Sequence, residues 1–340
     1  MDSGSGCGYH LQMRKLPASG LILAASLVLA ACATVPASGT WPIDWHAPLH
    51  QDHALVGHIW SPQAQAWITP EQLRAAVATA HFVILGETHD NPDHHRMQAQ
   101  LLQAVVDAGR RPMLGFEMLD LDQQPALTEF LESHPTDALA LGPAVHWADS
   151  GWPAWSIYAP IAAVALAHDL PIIAANLPAK TVKAVAFNGY EALAPGQAAE
   201  LGLDQPWPTT QRESMLDELF QSHCELMPKS ELTGMLHAQR TRNAIMAWRM
   251  LQTAGPDGAV LITGSGHART DYGVPLNLHA DATAPTVVSV ALIEVDPGTR
   301  KPADYAAEYN VARLPFDYVL FTPAAEREDP CVALRKRFAK

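Results

Sequence analysis

Six apolar runs of strand length punctuate the sequence: His81–Gly86, Pro112–Glu117, Pro171–Asn176, Ala259–Gly264, Val287–Val295 and Tyr318–Phe321. A strand with one wet face alternates apolar and polar residues. These runs do not alternate, so each is expected to be buried on both faces. Longer stretches with helical spacing lie between them, among them Pro92–Ala108, Tyr158–His168 and Glu231–Leu251. Continuous strands separated by helices predict an α/β fold, a mostly parallel central sheet flanked by helices. The segment 209–251 is mostly helical, and no strand follows it until Ala259. It predicts a helical subdomain or cap inserted in the α/β body.

In an open α/β sheet, ligands bind outside the carboxyl ends of the strands. Here four runs pass directly into polar groups. The first meets Glu87-Thr88-His89-Asp90-Asn91-Pro92-Asp93-His94-His95, and the second ends in Phe116-Glu117. The third ends in Asn176, and the fourth in Gly264-Ser265-Gly266-His267-Ala268-Arg269. All four would open on one edge of the sheet. Each residue also has a plainer reading. Glu87 and Glu117 could be carboxylates at helix N-termini, and His89 and His267 satisfied core imidazoles. A carboxylate at a strand end is expected to be buried, however, which is costly unless it is paired or ligating. His94 and His95 open a helix, so one is expected to face the cleft and the other solvent, with Asp93 capping the helix. Arg240, Arg242 and Arg249 share a helix and read as a solvated face. No nucleophile elbow, Walker loop or dinucleotide fingerprint is present. Two Glu and two His suit a metal or an acid/base pair acting on water.

The N-terminus reads as an export signal. Met13-Arg14-Lys15 precedes an apolar run, Leu21–Ala31, that ends Leu29-Ala30-Ala31-Cys32. That string matches the bacterial lipobox, with Cys32 lipidated after removal of residues 1–31; an ordinary secretory signal is the plainer alternative. Residues 32–66 read as a tether and an irregular or short-stranded lead-in, and 67–340 as a single domain. Ala33 after the Cys favours the outer membrane, facing the periplasm. Two cysteines remain in the body, Cys224 and Cys331. Export permits a disulfide, but nothing in the sequence places the two within bridging distance. A net charge of -13 excludes nucleic-acid binding by a general basic surface.

The string Ile84–His95 resembles the signature of the ChaN family of haem-binding bacterial lipoproteins. Further blocks agree in order: Gly115-Phe116-Glu117-Met118, Ile173–Pro178, His223-Cys224 with Met227-Pro228, Ala238–Asn243, Gly264–Pro275 and Tyr318–Pro323. The resemblance covers about residues 80 to 323. Thr88 and Ser265 depart from the family pattern, and neither removes a charged site group. The family is similar to a wider superfamily containing the Tiki proteases and erythromycin-esterase-like hydrolases. Their active-site motifs fall here on Glu87, His89, Glu117 and Gly264–His267.

The resemblance implies haem as cofactor and a role in haem or iron acquisition by a lipid-anchored binding protein, without covalent chemistry. Haem would sit over the carboxyl edge, near Glu87, His89, His94, Glu117, Asn176 and His267. Candidate iron ligands are His89, His267 and Tyr272, with His94 also near the edge, and Arg269 could pair with a propionate. A haem-uptake receptor, a second copy of the chain and the membrane through Cys32 stand as partners; nucleic acid does not. The rival is a hydrolase in which Glu87, His89, Glu117 and His267 hold a divalent metal or activate water.

Overall fold

The protein is described by a computed structural model that covers residue 41 and residues 44–278 and 286–338. The export segment, with Cys32, lies outside the described residues. The six apolar runs form strands, preceded by a short hairpin. In chain order the strands are β1 (Ile59–Ser61), β2 (Ala66–Ile68), β3 (Phe82–Glu87), β4 (Met113–Asp120), β5 (Ile172–Asn176), β6 (Ala259–Gly264), β7 (Val287–Glu294) and β8 (Tyr318–Thr322). They make one sheet in the order β2-β1-β8-β7-β3-β6-β4-β5. The β1–β2 and β1–β8 pairs are antiparallel, and the remaining pairs are parallel. The α/β class, with its mostly parallel sheet, is therefore as expected.

The runs lack alternation because both faces are covered. Val83, Leu85, Leu114, Phe116, Val260 and Ile262 point to one face. Leu73 and Val77 from the helix Pro70–Thr79, Met97, Leu101 and Leu102 from Pro92–Asp107, and Ile161 and Ala165 from Trp155–Ala167 pack on them. Phe82, Ile84, Leu261 and Ile293 point the other way, onto Met246, Ala247 and Met250 of the helix Thr233–Thr253 and onto Tyr305. Fully burying one such side chain stabilises by about 1.5–3 kcal/mol.

Local signals set the helix starts. Thr69 and Gln72 form a capping box before Pro70. Asn91, not Asp93, caps the helix Pro92–Asp107: its side chain accepts the Asp93 N–H at 3.0 Å. Asp93 instead takes the backbone N–H groups of His46 and Ala47 and the Arg96 guanidinium, which ties the lead-in segment to the body.

Between β5 and β6 the chain is helical. Thr209–Ser222, the short turn Lys229–Leu232 and Thr233–Thr253 carry a separate small core of Met215, Leu219, Leu232 and Leu236, closed by Tyr272. This is the cap over the carboxyl edge. Its turn is fastened by a Cys224–Cys331 disulfide, with a Cα–Cα distance of 5.6 Å across 107 residues of sequence. Among the described residues no helix is long and apolar enough to cross a membrane.

Candidate functional site

The strand order makes the site. Because β6 lies between β3 and β4, the carboxyl ends of these three strands are adjacent, and Glu87 pairs in register with Gly264. Two glycines allow the close approach. A Cβ on Gly86 would lie 2.7 Å from the Ala268 Cβ and 3.0 Å from the Ser265 Cα. A Cβ on Gly264 would lie 2.9 Å from His89 Nε2. The turn after β6 therefore sits directly on β3 and against the His89 ring.

One half of the site centres on Glu87, which is buried. Its Oε1 meets His89 Nδ1 at 2.9 Å and accepts from the Tyr158 hydroxyl at 3.2 Å. Its Oε2 lies 2.7 Å from His95 Nδ1. His95 faces acceptors on both nitrogens, since its Nε2 donates to the His89 carbonyl at 3.0 Å and Gln98 Oε1 lies 3.1 Å from its Nδ1. Gln98 is oriented by donating its amide to the Leu85 carbonyl. A ring surrounded by acceptors favours the doubly protonated form. Burial lowers the His95 pKa, but Glu87 and these hydrogen bonds raise it further, and the net shift is upward. His89 also shifts up, because Glu87 and Glu117 outweigh its desolvation. Burial raises the Glu87 pKa, yet His95 and His89 overcome it and hold the carboxyl down at about 2.

The other half centres on Glu117, also buried. Its Oε2 accepts from the Thr263 hydroxyl at 2.6 Å and from the Gly264 N–H at 2.7 Å. Its Oε1 accepts from Arg242 at 2.8 Å, with His267 Nε2 at 3.4 Å. Burial would raise its pKa, but His267 and Arg242 hold it far below the usual carboxylate range. The tautomer of His267 follows from its neighbour. Asn243 donates its amide to the Tyr272 carbonyl, so its oxygen faces His267 Nδ1 at 2.6 Å. His267 Nδ1 is thus the donor, and Nε2 keeps a lone pair toward the cleft. Desolvation pushes the His267 pKa down to about 4.

Several sequence expectations change here. His94 and His95 are both buried, so neither faces solvent. His94 accepts the Thr88 N–H on Nδ1 and meets the Thr322 hydroxyl through Nε2, a structural post between β3 and β8. Arg269 is fully buried, and its guanidinium binds Asp271, Ser214 and the Tyr309 carbonyl instead of reaching the cleft. Tyr272 does line the cleft, but its hydroxyl donates to Glu218, and burial with that carboxylate drives its pKa strongly upward. The arginines of Thr233–Thr253 are not a solvated face. Arg242 pairs with Glu117, while Arg240 and Arg249 bind the carbonyls of Leu203 and Ala174. Asn176 donates to the Glu117 carbonyl and lines the adjoining cavity. Among the described residues no group of three or more His, Cys, Asp or Glu forms a metal cluster.

Above these groups lie two adjoining chambers. The smaller, about 370 Å³, is floored by Glu87, His89, Glu117 and His267. The larger, about 550 Å³, has apolar walls of Met118, Leu177, Val182, Ala186, Leu219 and Met235, with Lys183 at its rim. Trp152, Leu219, His223, Gln239 and Arg242 line both. At that shared boundary two buried polar atoms have no partner, Arg242 Nε and Gln239 Oε1. Trp152 also packs on His89, with ring centroids 4.7 Å apart. Sequence reasoning missed Trp152, Lys183 and Gln239, and assigned His223 and Arg242 no site role.

A family model described as haem-binding uptake, Tiki superfamily, ChaN matches residues 73–278, more than half of the chain. Among solved structures, one described as cofacial haem binding to ChaN of Campylobacter jejuni is 21% identical. It covers 77% of this chain and 95% of that one, with a TM-score of 0.60, and the likeness is one of fold. A type III effector, HopBA1, matches at 14% identity and a TM-score of 0.41, covering 78% of this chain and 94% of its own. An erythromycin esterase EreC variant in its open conformation matches at 14% and 0.43, covering 80% and 99%. No curated protein gives a significant match.

Proposed function

The chain belongs to the ChaN family of haem-binding uptake proteins in the Tiki superfamily, and from that membership we propose that it holds haem in the two-chambered cleft as a lipid-anchored envelope protein serving haem or iron acquisition. The single observation that carries the placement is the make-up of the larger chamber. An iron porphyrin needs an apolar slot, cationic partners for its propionates and an axial donor. The chamber offers Met118, Leu177, Val182, Leu219 and Met235 as walls and Lys183 and Arg242 as cations, with the carboxylates of Asp120 and Asp149 also in its lining. The partnerless Arg242 Nε is a free donor at the boundary. Bound haem would supply a redox-active iron. The protein's part is to orient the ring, exclude water from its face and neutralise the propionates.

The test is a titration of the purified mature protein with haemin. A saturable Soret shift at stoichiometric haemin is the expected result, and a spectrum that stays the sum of free haemin and protein removes the reading. The smaller chamber supports a second reading, water activation. His267 Nε2 carries its lone pair 3.4 Å from a Glu117 oxygen, and His89 Nε2 lies against Gly264 beside the same carboxylate. The same preparation is expected to show no ester hydrolysis. Turnover abolished by Glu87→Gln would favour the hydrolase.

The envelope location rests on the lipobox and on the disulfide, which suits an oxidising compartment. With the lipid as anchor, Cys32→Ser is expected to move the protein from the membrane to the soluble fraction of fractionated cells. Wild-type protein found wholly soluble would end the lipoprotein proposal.

A further inference from the structure

We propose that the Cys224–Cys331 disulfide is a redox-sensitive latch on the roof of the cleft, and that its reduction by a dithiol frees the helix Thr209–Ser222 and speeds exchange of the cleft's occupant. The occupant rests on the haem reading above; the movement of the roof does not. Met215, Glu218, Leu219 and Ser222 of that helix line the smaller chamber, and Leu219 with the following His223 lines the larger as well. Yet the helix enters neither of the two sheet cores, since Met215 and Leu219 belong to the small core closed by Tyr272. Its further fastenings to the body are polar. Glu218 accepts from the Tyr272 hydroxyl, Ser214 meets Arg269 at 3.1 Å and Asp271 at 3.3 Å, and Gln221 donates to Asn310 at 3.1 Å.

The other end of the bond is a fixed post. The chain beyond β8 runs along the carboxyl edge, where Asn91 donates to the Pro323 carbonyl at 3.0 Å and the Ala325 N–H donates to Glu294 at 3.0 Å. Arg327 then forks between Asp90, just past β3, at 2.7 and 2.8 Å, and Glu294, the last residue of β7, at 2.6 Å. Cys331 follows, in the helix Pro330–Phe338. The bond thus ties a roof held by polar contacts to a strap anchored on the sheet edge. Both cysteines are partly exposed, so a thiolate can approach them. The turn under the bond is also disfavoured. Cys224 and Glu225, neither of them glycine, both adopt the left-handed region, with φ of 58° and 57°. Their N–H groups bond to the carbonyls of Gln221 and Phe220, and the disulfide pins the turn they form to the strap. The reduction is a thiol–disulfide exchange. One thiolate of the dithiol attacks a sulfur of the bond, and the second resolves the mixed disulfide. Two electrons and two protons pass to the cysteines, and the dithiol leaves as its own disulfide.

Hydrogen–deuterium exchange tests the latch on wild type, oxidised and then reduced with dithiothreitol, and on Cys224→Ser/Cys331→Ser. Without the bond, the amides of Thr209–Ser222 are expected to exchange roughly tenfold faster or more, while those of β3, β4 and β6 change far less. A bond that is only a staple restricts the unfolded chain across 107 residues, so its loss would act most on the amides that open by global unfolding. Unchanged exchange in Thr209–Ser222, or an equal acceleration over roof and sheet, overturns the latch. Haemin release to an apoglobin acceptor is followed in the double variant, because dithiothreitol would also reduce the haemin iron. Release roughly tenfold faster or more than from oxidised wild type is expected, and release at the wild-type rate overturns the gating. Should the double variant lack a cooperative unfolding transition, reduced wild type carries the exchange comparison. A wild type that takes up no haemin, with faster exchange still confined to the roof, supports the latch and removes the haem reading.

Discussion

Glu117→Ala is expected to destabilise the protein by about 3–5 kcal/mol, the range for breaking a buried ion pair from one side. Glu117 is 1% exposed, and its oxygens answer the Thr263 hydroxyl, the Gly264 N–H and the Arg242 guanidinium. Removing it leaves three donors unanswered, one of them charged. Arg242 already has one partnerless buried nitrogen, so losing Glu117 would leave a second of its donors unanswered. Glu117→Gln keeps the shape but must turn an NH2 group toward one set of donors. Its loss should be smaller, about 1–3 kcal/mol, the cost of a buried donor left unpaired. Urea unfolding would show both as lower midpoints with an unchanged slope. A Glu117→Ala midpoint equal to wild type would mean that the carboxylate is not the hub described. Haemin binding need not follow this order, because the larger chamber draws on Arg242 more than on Glu117.

The strands and the floor of the site were legible for one physical reason. A strand covered on both faces has to be apolar throughout, so where the run stops the chain has reached the sheet edge. Glu87, His89, Glu117 and His267 were found in this way, and the structure brings all four into one cleft. What depends on contacts between distant segments was not legible. Helical spacing alone puts one of two adjacent histidines outside. Here the start of the Pro92–Asp107 helix is wedged between β8 and β3, so Thr322 takes His94 and Glu87 takes His95. Arg269 reads as a free cation after a strand, but Asp271, two residues on, captures it. That neighbour was a signal in plain view. Met118 and Leu177 lie at strand ends, but the other walls of the larger chamber come from the loop carrying Trp152, from the helix Ala179–Asn188 and from the cap, and no apolar run pointed to them. The Cys224–Cys331 link spans 107 residues and could not be read from spacing.

The protein is expected to be acid-labile, with stability falling as the pH drops from about 6.5 to 4, the interval over which free histidine gains a proton. Two buried histidines cause it. His94 accepts a backbone N–H on Nδ1, so that nitrogen cannot also carry a proton, and burial pushes its pKa down to about 3. His267, lowered by burial to about 4, behaves in the same way. Across that interval the unfolded chain binds protons that the folded chain refuses, so acidification favours unfolding. At about 1.4 kcal/mol per unit, each residue removes on the order of 3 kcal/mol by pH 4. Glu87, held at about 2, adds a further loss below its unfolded value near 4.5 as the pH falls toward 2. His89 and His95 have the opposite sign. Their pKa values are raised, so their stabilisation is complete below 6.5 and fades as the pH rises through their folded values. They do not offset the acid limb, and the stability maximum belongs near neutral pH. Thermal unfolding from pH 8 to 4 measures this directly. His94→Asn should start less stable at pH 7 and decline less steeply, since one of the two refusing groups is gone. A transition temperature that stays level from pH 7 to 4 in the wild type would mean that these rings accept protons when folded, and the neutral tautomers assigned to them would be wrong.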